Sequence, residues 1–474
     1  MIDLKKLLRN PLTYILVASP LLLYALTLLQ PVHDDWSYVT TPYYDFGDKF
    51  TTRLMPFFSY WRPFDGLFGY VLSLAPGLFP TLNHVAVYAA HLINTFLIYR
   101  LCGTFGFNAF ARNVATIFFF ISPAMLGTVL GIDSLNQAYS QTWGLLGTLA
   151  YLEMKGRTRV PAWLACTLVA TLCKENGVTF FAIPQVLAYT SGKATLRQVA
   201  KDTLWAVLTV AAYYAARKAL YNDNVYINDE YFENTLARKL KNLGVFVGMT
   251  WIPLDYVSLW YAPSRNLVTV AITAALSMPF ILYLFFSRPR NLRSRLLIGL
   301  AVAMLVAASP HLLTLFTAMH PYASLGMAAL VVAFLADNVK NKQTLTILFA
   351  MFIASTAYVD WHHWQKSYES SMTGKRMGQE AIKELEKPAD KLSVIYIDRG
   401  EQKYSSFCAI PYDAFGWGWA IYKETGYEWP RRISNVVITD AEMQNIDSII
   451  DKEFKNEGSQ RVLLVYGDTV KAIR

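Results

Sequence analysis

The chain has 474 residues, of which 54% are hydrophobic and 15% aromatic, while only 16% are charged. Soluble domains carry roughly 25% charged residues, so a surface that faces water everywhere is excluded. The net charge of +9 does not point to nucleic acid, because Lys and Arg fall in short clusters between long uncharged runs, the charge pattern of a polytopic membrane protein.

The basic start, Lys5, Lys6 and Arg9, belongs in the cytoplasm, and a first span follows over 11–29. It lacks a small-residue cleavage site and is read as retained. Further basic clusters lie at Arg100 with Arg112, at Lys155, Arg157 and Arg159, and at Lys193, Arg197 and Lys201. The last are Arg288, Arg290, Arg293 and Arg295, then Lys340 with Lys342. If all are cytoplasmic, helical pairs fit between them at 84–101, 113–130, 135–152, 161–173, 178–189, 203–221, 267–286, 296–315, 322–336 and 345–358. With the first span that predicts eleven crossings, each set against the ~20 residues needed for ~30 Å of hydrocarbon. Two further apolar runs, 64–79 and 243–259, are rich in Pro, Gly and Trp and would break this parity. They read as interfacial or re-entrant helices. The loops 33–62, 131–134, 174–177, 222–265 and 311–321 then face outward, with everything after Asp360.

The tail predicts a helix at 367–386, a strand at 392–398, a Tyr/Gly/Trp-rich loop, a strand at 435–439, a helix at 441–457 and a strand at 461–466. Helices alternating with short β-branched runs read as a small α/β domain. Cys408 has no partner there, and Cys102, Cys166 and Cys173 lie in or beside spans, so no disulfide framework is implied. The expected architecture is therefore mainly α. It has about eleven transmembrane helices over 1–359, with an outer loop at 31–65, and an extracytoplasmic α/β domain over 360–474.

The spans carry almost no ionisable residues, and the unusual polar groups collect at their outer ends. Transporters tend to place such groups at mid-membrane, so the distribution favours chemistry at the outer surface. His33–Asp34–Asp35–Trp36 follows the first span directly. Two carboxylates at a lipid boundary fit a general base beside a neighbour that orients an acceptor or holds a metal, or a solvated pair that caps the helix exit. Arg62, in Tyr60–Trp61–Arg62–Pro63, can grip a lipid phosphate with its forked donors or anchor on ordinary head groups. His84, Tyr88 and His91 share one helical face. Of these His84 lies nearest the boundary, where it can meet substrate, while His91 and Asn94 read as polar groups that hold spans together. Lys174–Glu175 sits at the outer turn between two short apolar runs, where a lysine can meet phosphate as a point charge. His311 and the segment His320–Pro321–Tyr322 occupy another outer turn. No zinc spacing, Gly-rich phosphate loop or basic-aromatic array is present.

Taken in order, these segments resemble the GT-C class of integral membrane glycosyltransferases. The likeness is to the transmembrane and tetratricopeptide-repeat O-mannosyltransferases and their bacterial relatives. The matching residues are Asp34–Asp35, Arg62–Pro63–Phe64, Asn83–His84 and His91–Leu92–Ile93–Asn94. Lys174–Glu175–Asn176–Gly177, Pro253–Leu254–Asp255–Tyr256 and His320–Pro321–Tyr322–Ala323–Ser324–Leu325–Gly326 follow. The resemblance implies inverting transfer of a sugar from a polyprenyl-phosphate donor to an extracytoplasmic acceptor, with a first-loop Asp as base. It implies Asp34 and Asp35 as catalytic residues, and Arg62, Lys174 and His320 at the donor phosphate. His84, Glu175 and Tyr322 would meet substrate. The chain lacks tetratricopeptide repeats, and an α/β tail stands in their place. That pattern resembles bacterial enzymes that decorate cell-envelope polysaccharide, such as O-antigen glucosyltransferases, in an inner membrane with the site on the periplasmic side. The implied partners are the lipid-linked sugar, a glycan or lipid-linked acceptor and membrane lipids. The class has both metal-dependent and metal-independent members, and these residues do not choose between a divalent metal and none. A flippase, or a polymerase or ligase of lipid-linked glycans, is the competing expectation.

Overall fold

In a computed structural model the described residues are 10–36, 61–220, 235–253, 263–287, 294–314, 316–384, 391–397, 433–454, 460–466 and 469–473. The rest of the expected outer loop, most of the Pro253–Tyr256 match, and Cys408 with its aromatic loop lie outside them.

The chain is mainly helical. In order come α1 (Pro11–Thr27), α2 (Pro63–Ser73), α3 (Thr81–Thr104), α4 (Ala109–Ile121), α5 (Leu126–Val129), α6 (Leu135–Glu153) and α7 (Arg159–Cys173). Then follow α8 (Ile183–Thr190), α9 (Leu196–Leu220), α10 (Leu236–Trp251), α11 (Pro263–Phe286), α12 (Ser294–Ala308), α13 (Tyr322–Asp337) and α14 (Lys342–Glu384). Four stretches are long and apolar enough to cross a membrane: Thr81–Thr104, Leu267–Phe286, Arg295–Leu313 and Lys342–Lys383. Ala109–Ile121 with Pro123–Val129 makes a fifth if its 46° bend is one broken span. The bend has a local cause, since Pro123 cannot continue the ladder of α4. The remaining expected spans are shorter or more polar. The run 178–189 divides into a 3-10 turn, Glu175–Phe181, and the eight-residue α8, whose ~12 Å falls short of a bilayer.

Outward faces of α1, α9 and α11 present Leu16, Val17, Leu21, Leu204, Val207, Leu208, Leu267, Val268 and Ile272. Exposed leucine and valine in such number would be costly in water at ~25 cal/mol per Å², and the four apolar stretches are compatible with a membrane protein. The inner faces pack around α13, all but the last of whose residues are buried. Phe118, Trp251, Phe280 and Phe352 stack beside it.

α14 corrects the expected division of the tail, because the last span and the helix at 367–386 form one 43-residue helix. Its middle holds the exit of α1. The indole of Trp364 donates to the Ala25 carbonyl (2.9 Å), which also takes a long bond from Leu28 N (3.4 Å) in the last turn of α1, and Gln30 N donates to Ser371 Oγ (3.2 Å). Beyond it, β1 (Lys391–Ile397), β2 (Ile433–Ile438), β3 (Gln460–Tyr466) and β4 (Thr469–Ala472) form one sheet in the order β2-β1-β3-β4. The first three are parallel, and β4 returns antiparallel to β3. Helix α15 (Ile446–Phe454) covers one face through Ile450 and Phe454. The strands and α15 match the expected α/β order, and β4 is an addition.

Candidate functional site

Two turns and two helix ends meet at one place. The first turn is the 3-10 segment His33–Trp36. Within it Asp35 is buried, and its carboxylate is fully engaged by backbone. Oδ1 accepts from Ile132 N (2.8 Å) and Asp133 N (2.9 Å), and Oδ2 accepts from Val32 N (3.2 Å). Asp35 thus ties the exit of α1 to the turn before α6. Burial and the nearby Asp133 carboxylate push it up to about 8, against three N–H donors that favour the charged form. The expected role of Asp35 is to orient an acceptor or a metal; in this geometry both oxygens serve the fold. Asp34, partly exposed beside it, is the member of the pair that this tie does not consume.

The second turn brings in Asp133, which the sequence reading passed over. Ser134 Oγ lies 3.2 Å from Asp133 Oδ1 and 3.8 Å from Met319 Sδ. Met319 Sδ in turn accepts from Lys174 Nζ at 3.1 Å. A short chain, Asp133–Ser134–Met319–Lys174, therefore links the acidic turns to the basic one. Asp65, on α2, adds a further buried carboxylate, 3.4 Å from Asn136 Nδ2.

Lys174 caps the C-terminus of α7 with extended backbone (φ −155°, ψ 141°). The turn that follows folds back so tightly that a Cβ on Gly177 would overlap the backbone of Ala170 and Thr171, which explains a glycine there. Lys174 is 8% exposed, and among the described residues its ammonium has the Met319 thioether as its one hydrogen-bond partner. Burial, then the charge of Arg62, lowers it to about 8, although Asp133, Glu175 and Asp65 pull the other way. Glu175 instead pairs with Arg62. Arg62 Nε lies 3.1 and 3.0 Å from the two carboxylate oxygens, and Nη2 lies 2.8 Å from Oε2. Burial works against the Glu175 carboxylate, but the Arg62 charge and hydrogen bonds outweigh it and hold the group below its ordinary range. Glu175 therefore serves first to hold Arg62, whose fork is engaged on this carboxylate.

His320 stacks on His311, with ring centroids 4.1 Å apart, and its Nδ1 accepts from Thr317 N (3.2 Å). Burial, then the nearness of His311 and Lys174, holds it well below its ordinary range. With Nδ1 accepting from Thr317 N, Nε2 is the ring nitrogen of His320 left to carry an N–H. His311 is placed by Asn176 (Nδ2 to Nε2, 3.4 Å), and Asn242 donates to the carbonyls of His311 (3.2 Å) and Thr314 (2.9 Å).

The two remaining expected substrate contacts, Tyr322 and His84, are both buried. Tyr322 is fully buried on α13, where its hydroxyl donates to His91 Nδ1 (3.0 Å) and accepts from Asn94 Nδ2 (3.0 Å). His91 Nε2 in turn donates to the Phe120 carbonyl (3.1 Å). Tyr322 thus holds α3 to α13, and a substrate role for it is corrected; His91 and Asn94 act as expected. His84 is 1% exposed near the start of α3, beside the Leu29 carbonyl, and neither ring nitrogen makes a hydrogen bond of normal geometry. Among the described residues no group of three or more His, Cys, Asp or Glu side chains is placed to hold a metal ion.

The site therefore joins Asp133, Arg62, Lys174, Glu175 and His320, with Asp34 next in the chain to Asp35, which is tied to Asp133 N. Asp133 and Asp65 carried a readable signal, an acid at an outer turn or beside Arg62, whereas the Met319 contact carried none. Comparisons with protein-family models, curated proteins and solved structures return no match.

Proposed function

We propose that this chain is a membrane glycosyltransferase that moves a sugar from a polyprenyl-phosphate carrier to an acceptor at the outer surface. The observation that carries the reading is Lys174: a buried ammonium whose one hydrogen-bond partner among the described residues is a thioether, at a helix end near Asp133. A charge held in that way is strongly unfavourable without an anionic partner, and a ligand phosphate would supply one.

In the mechanism proposed, Lys174 receives the donor phosphate as a point charge, and Arg62, oriented by Glu175, lines the same recess. Asp34 takes the proton from the acceptor hydroxyl, the hydroxyl oxygen bonds to the anomeric carbon, and the bond from that carbon to the phosphate oxygen breaks. The configuration inverts, and Lys174 offsets the charge that develops on the leaving phosphate. Asp35 anchors the loop that carries Asp34, and His320 offers a neutral N–H to the same recess. The positive-inside pattern of the sequence supports a site on the outer side, and the resemblance supports a bacterial inner membrane with a cell-envelope glycan as acceptor. The test is purified protein in vesicles with defined polyprenyl-phosphate sugars and a glycan acceptor. Free carrier phosphate should appear in step with the product. Carrier that crosses the bilayer without release would replace this reading with a flippase.

A further inference from the structure

An apolar groove runs between α8 and α9, with a cavity of about 600 Å³. It begins at Val178, three residues after Glu175, and follows α8 to Tyr189. Across it α9 presents residues from Leu196 to Ala211, a stretch of about 22 Å at 1.5 Å per residue. The lining is almost entirely apolar and much of it is short, with Ala182, Val186, Val199 and Ala206 among it. Two residues beyond Ala211, Tyr213 stacks on Trp61 (centroids 5.4 Å, planes 9° apart). The next residue, Arg62, is the partner of Glu175, and the charge of Arg217 reaches both Glu175 and Tyr213. The outer end of the groove therefore opens on the basic groups of the site.

A narrow apolar channel with buried cations at one end is complementary to a single long hydrocarbon chain that carries one anionic head. Alanine and valine walls leave width for methyl branches, which a straight acyl chain does not need. We infer that the α8–α9 groove seats the isoprenoid tail of the carrier, with its phosphate at Lys174. This rests on the polyprenyl-phosphate donor proposed above and adds where the chain lies and which helices select it.

The test uses a photoreactive long-chain polyprenyl phosphate without sugar, crosslinked to the full chain in phosphatidylglycerol vesicles and mapped by peptide. Label should fall within 178–211 and be displaced by unlabelled carrier. Val207→Trp and Ala182→Phe, both at exposed groove positions, narrow the channel without touching the site. Each should weaken the long-chain carrier about tenfold, since excluding one or two methylenes accounts for that much. Geranyl phosphate, which is too short to need the groove, should bind both variants as the wild type. Label confined to other helices, label displaced equally by added phosphatidylglycerol, or unchanged long-chain affinity in both variants would overturn the inference. If one variant fails to fold, the other and the wild-type map decide. No sugar is present, so a chain that binds carrier in the groove yet transfers nothing would remove the transferase reading and leave this one. Transfer with an unlabelled groove would do the reverse.

Discussion

Lys174→Met should stabilise the protein while it damages ligand binding. The lysine stem packs in a buried turn against Met319, and methionine keeps most of that apolar volume. What it removes is the buried charge. The fall from 10.5 to about 8 corresponds to about 3 kcal/mol against the charged form. Losing the cation also leaves Asp133, Asp65 and Glu175 less well balanced, so the expected gain at neutral pH is about 1–3 kcal/mol, seen as a Tm raised by a few degrees. Loss of one charge-assisted contact, roughly 1.5–3 kcal/mol, should weaken polyprenyl-phosphate binding about ten- to hundredfold. The pH dependence has a definite sign. Between about 8 and 10.5 the unfolded chain holds more protons than the folded one, so wild-type stability rises with pH across that window. Ligand affinity should fall over the same range as the cation is lost. Lys174→Arg, which stays charged, should flatten the fall. Thermal unfolding in detergent, with titration of the carrier phosphate, measures both. A Lys174→Met protein that unfolds earlier and binds carrier normally would refute the reasoning and make Lys174 a structural residue.

Asp35→Asn should impair the fold more than the chemistry. A carboxamide has one accepting atom for three N–H donors and turns its NH2 toward the others, so a Tm loss worth about 1–3 kcal/mol is expected, and an unchanged Tm would return Asp35 to the catalytic role. Gly177→Ala should open the Lys174 turn against the Ala170 backbone and lower carrier affinity together with stability. Normal values of both would show that the turn relaxes freely. A cysteine introduced at Ser37 in intact cells should react with an impermeant reagent, and if none reaches it the site does not face outward.

What the sequence disclosed follows from the range of each interaction. α3 was legible because an uncharged run carries it from Thr81 to Tyr99, and the parallel strands because β-branched residues cluster in them. The single α14 was not. The chain turns polar after Asp360, which reads as an exit from the membrane, yet no proline interrupts Lys342–Glu384 and a helix continues through a change of solvent. α8 fell short of its prediction because the tight Gly177 turn puts Glu175–Phe181 in a 3-10 segment, and with Pro184, which has no N–H to continue that segment, a new helix starts only at Ile183. At the site, Asp34, Arg62, Lys174 and Glu175 were readable as polar groups at outer helix ends. That Glu175 holds Arg62 across 113 residues, and that Asp35 is spent on a turn 97 residues away, is set by tertiary packing and leaves no local trace. Tyr322 misled for the same reason: its neighbourhood marked an outer turn, while its hydroxyl points into a polar network between α3 and α13.

The central claim is that Asp34 is the base of a transfer reaction, and single-turnover transfer by Asp34→Asn tests it most directly. A saturating polyprenyl-phosphate sugar would be bound beforehand and its affinity measured on the same sample. A lost general base should slow the step by roughly 10²–10⁴-fold, with donor affinity and Tm as in the wild type. Transfer at the wild-type rate in Asp34→Asn, and again when Asp133→Asn is added, would contradict it.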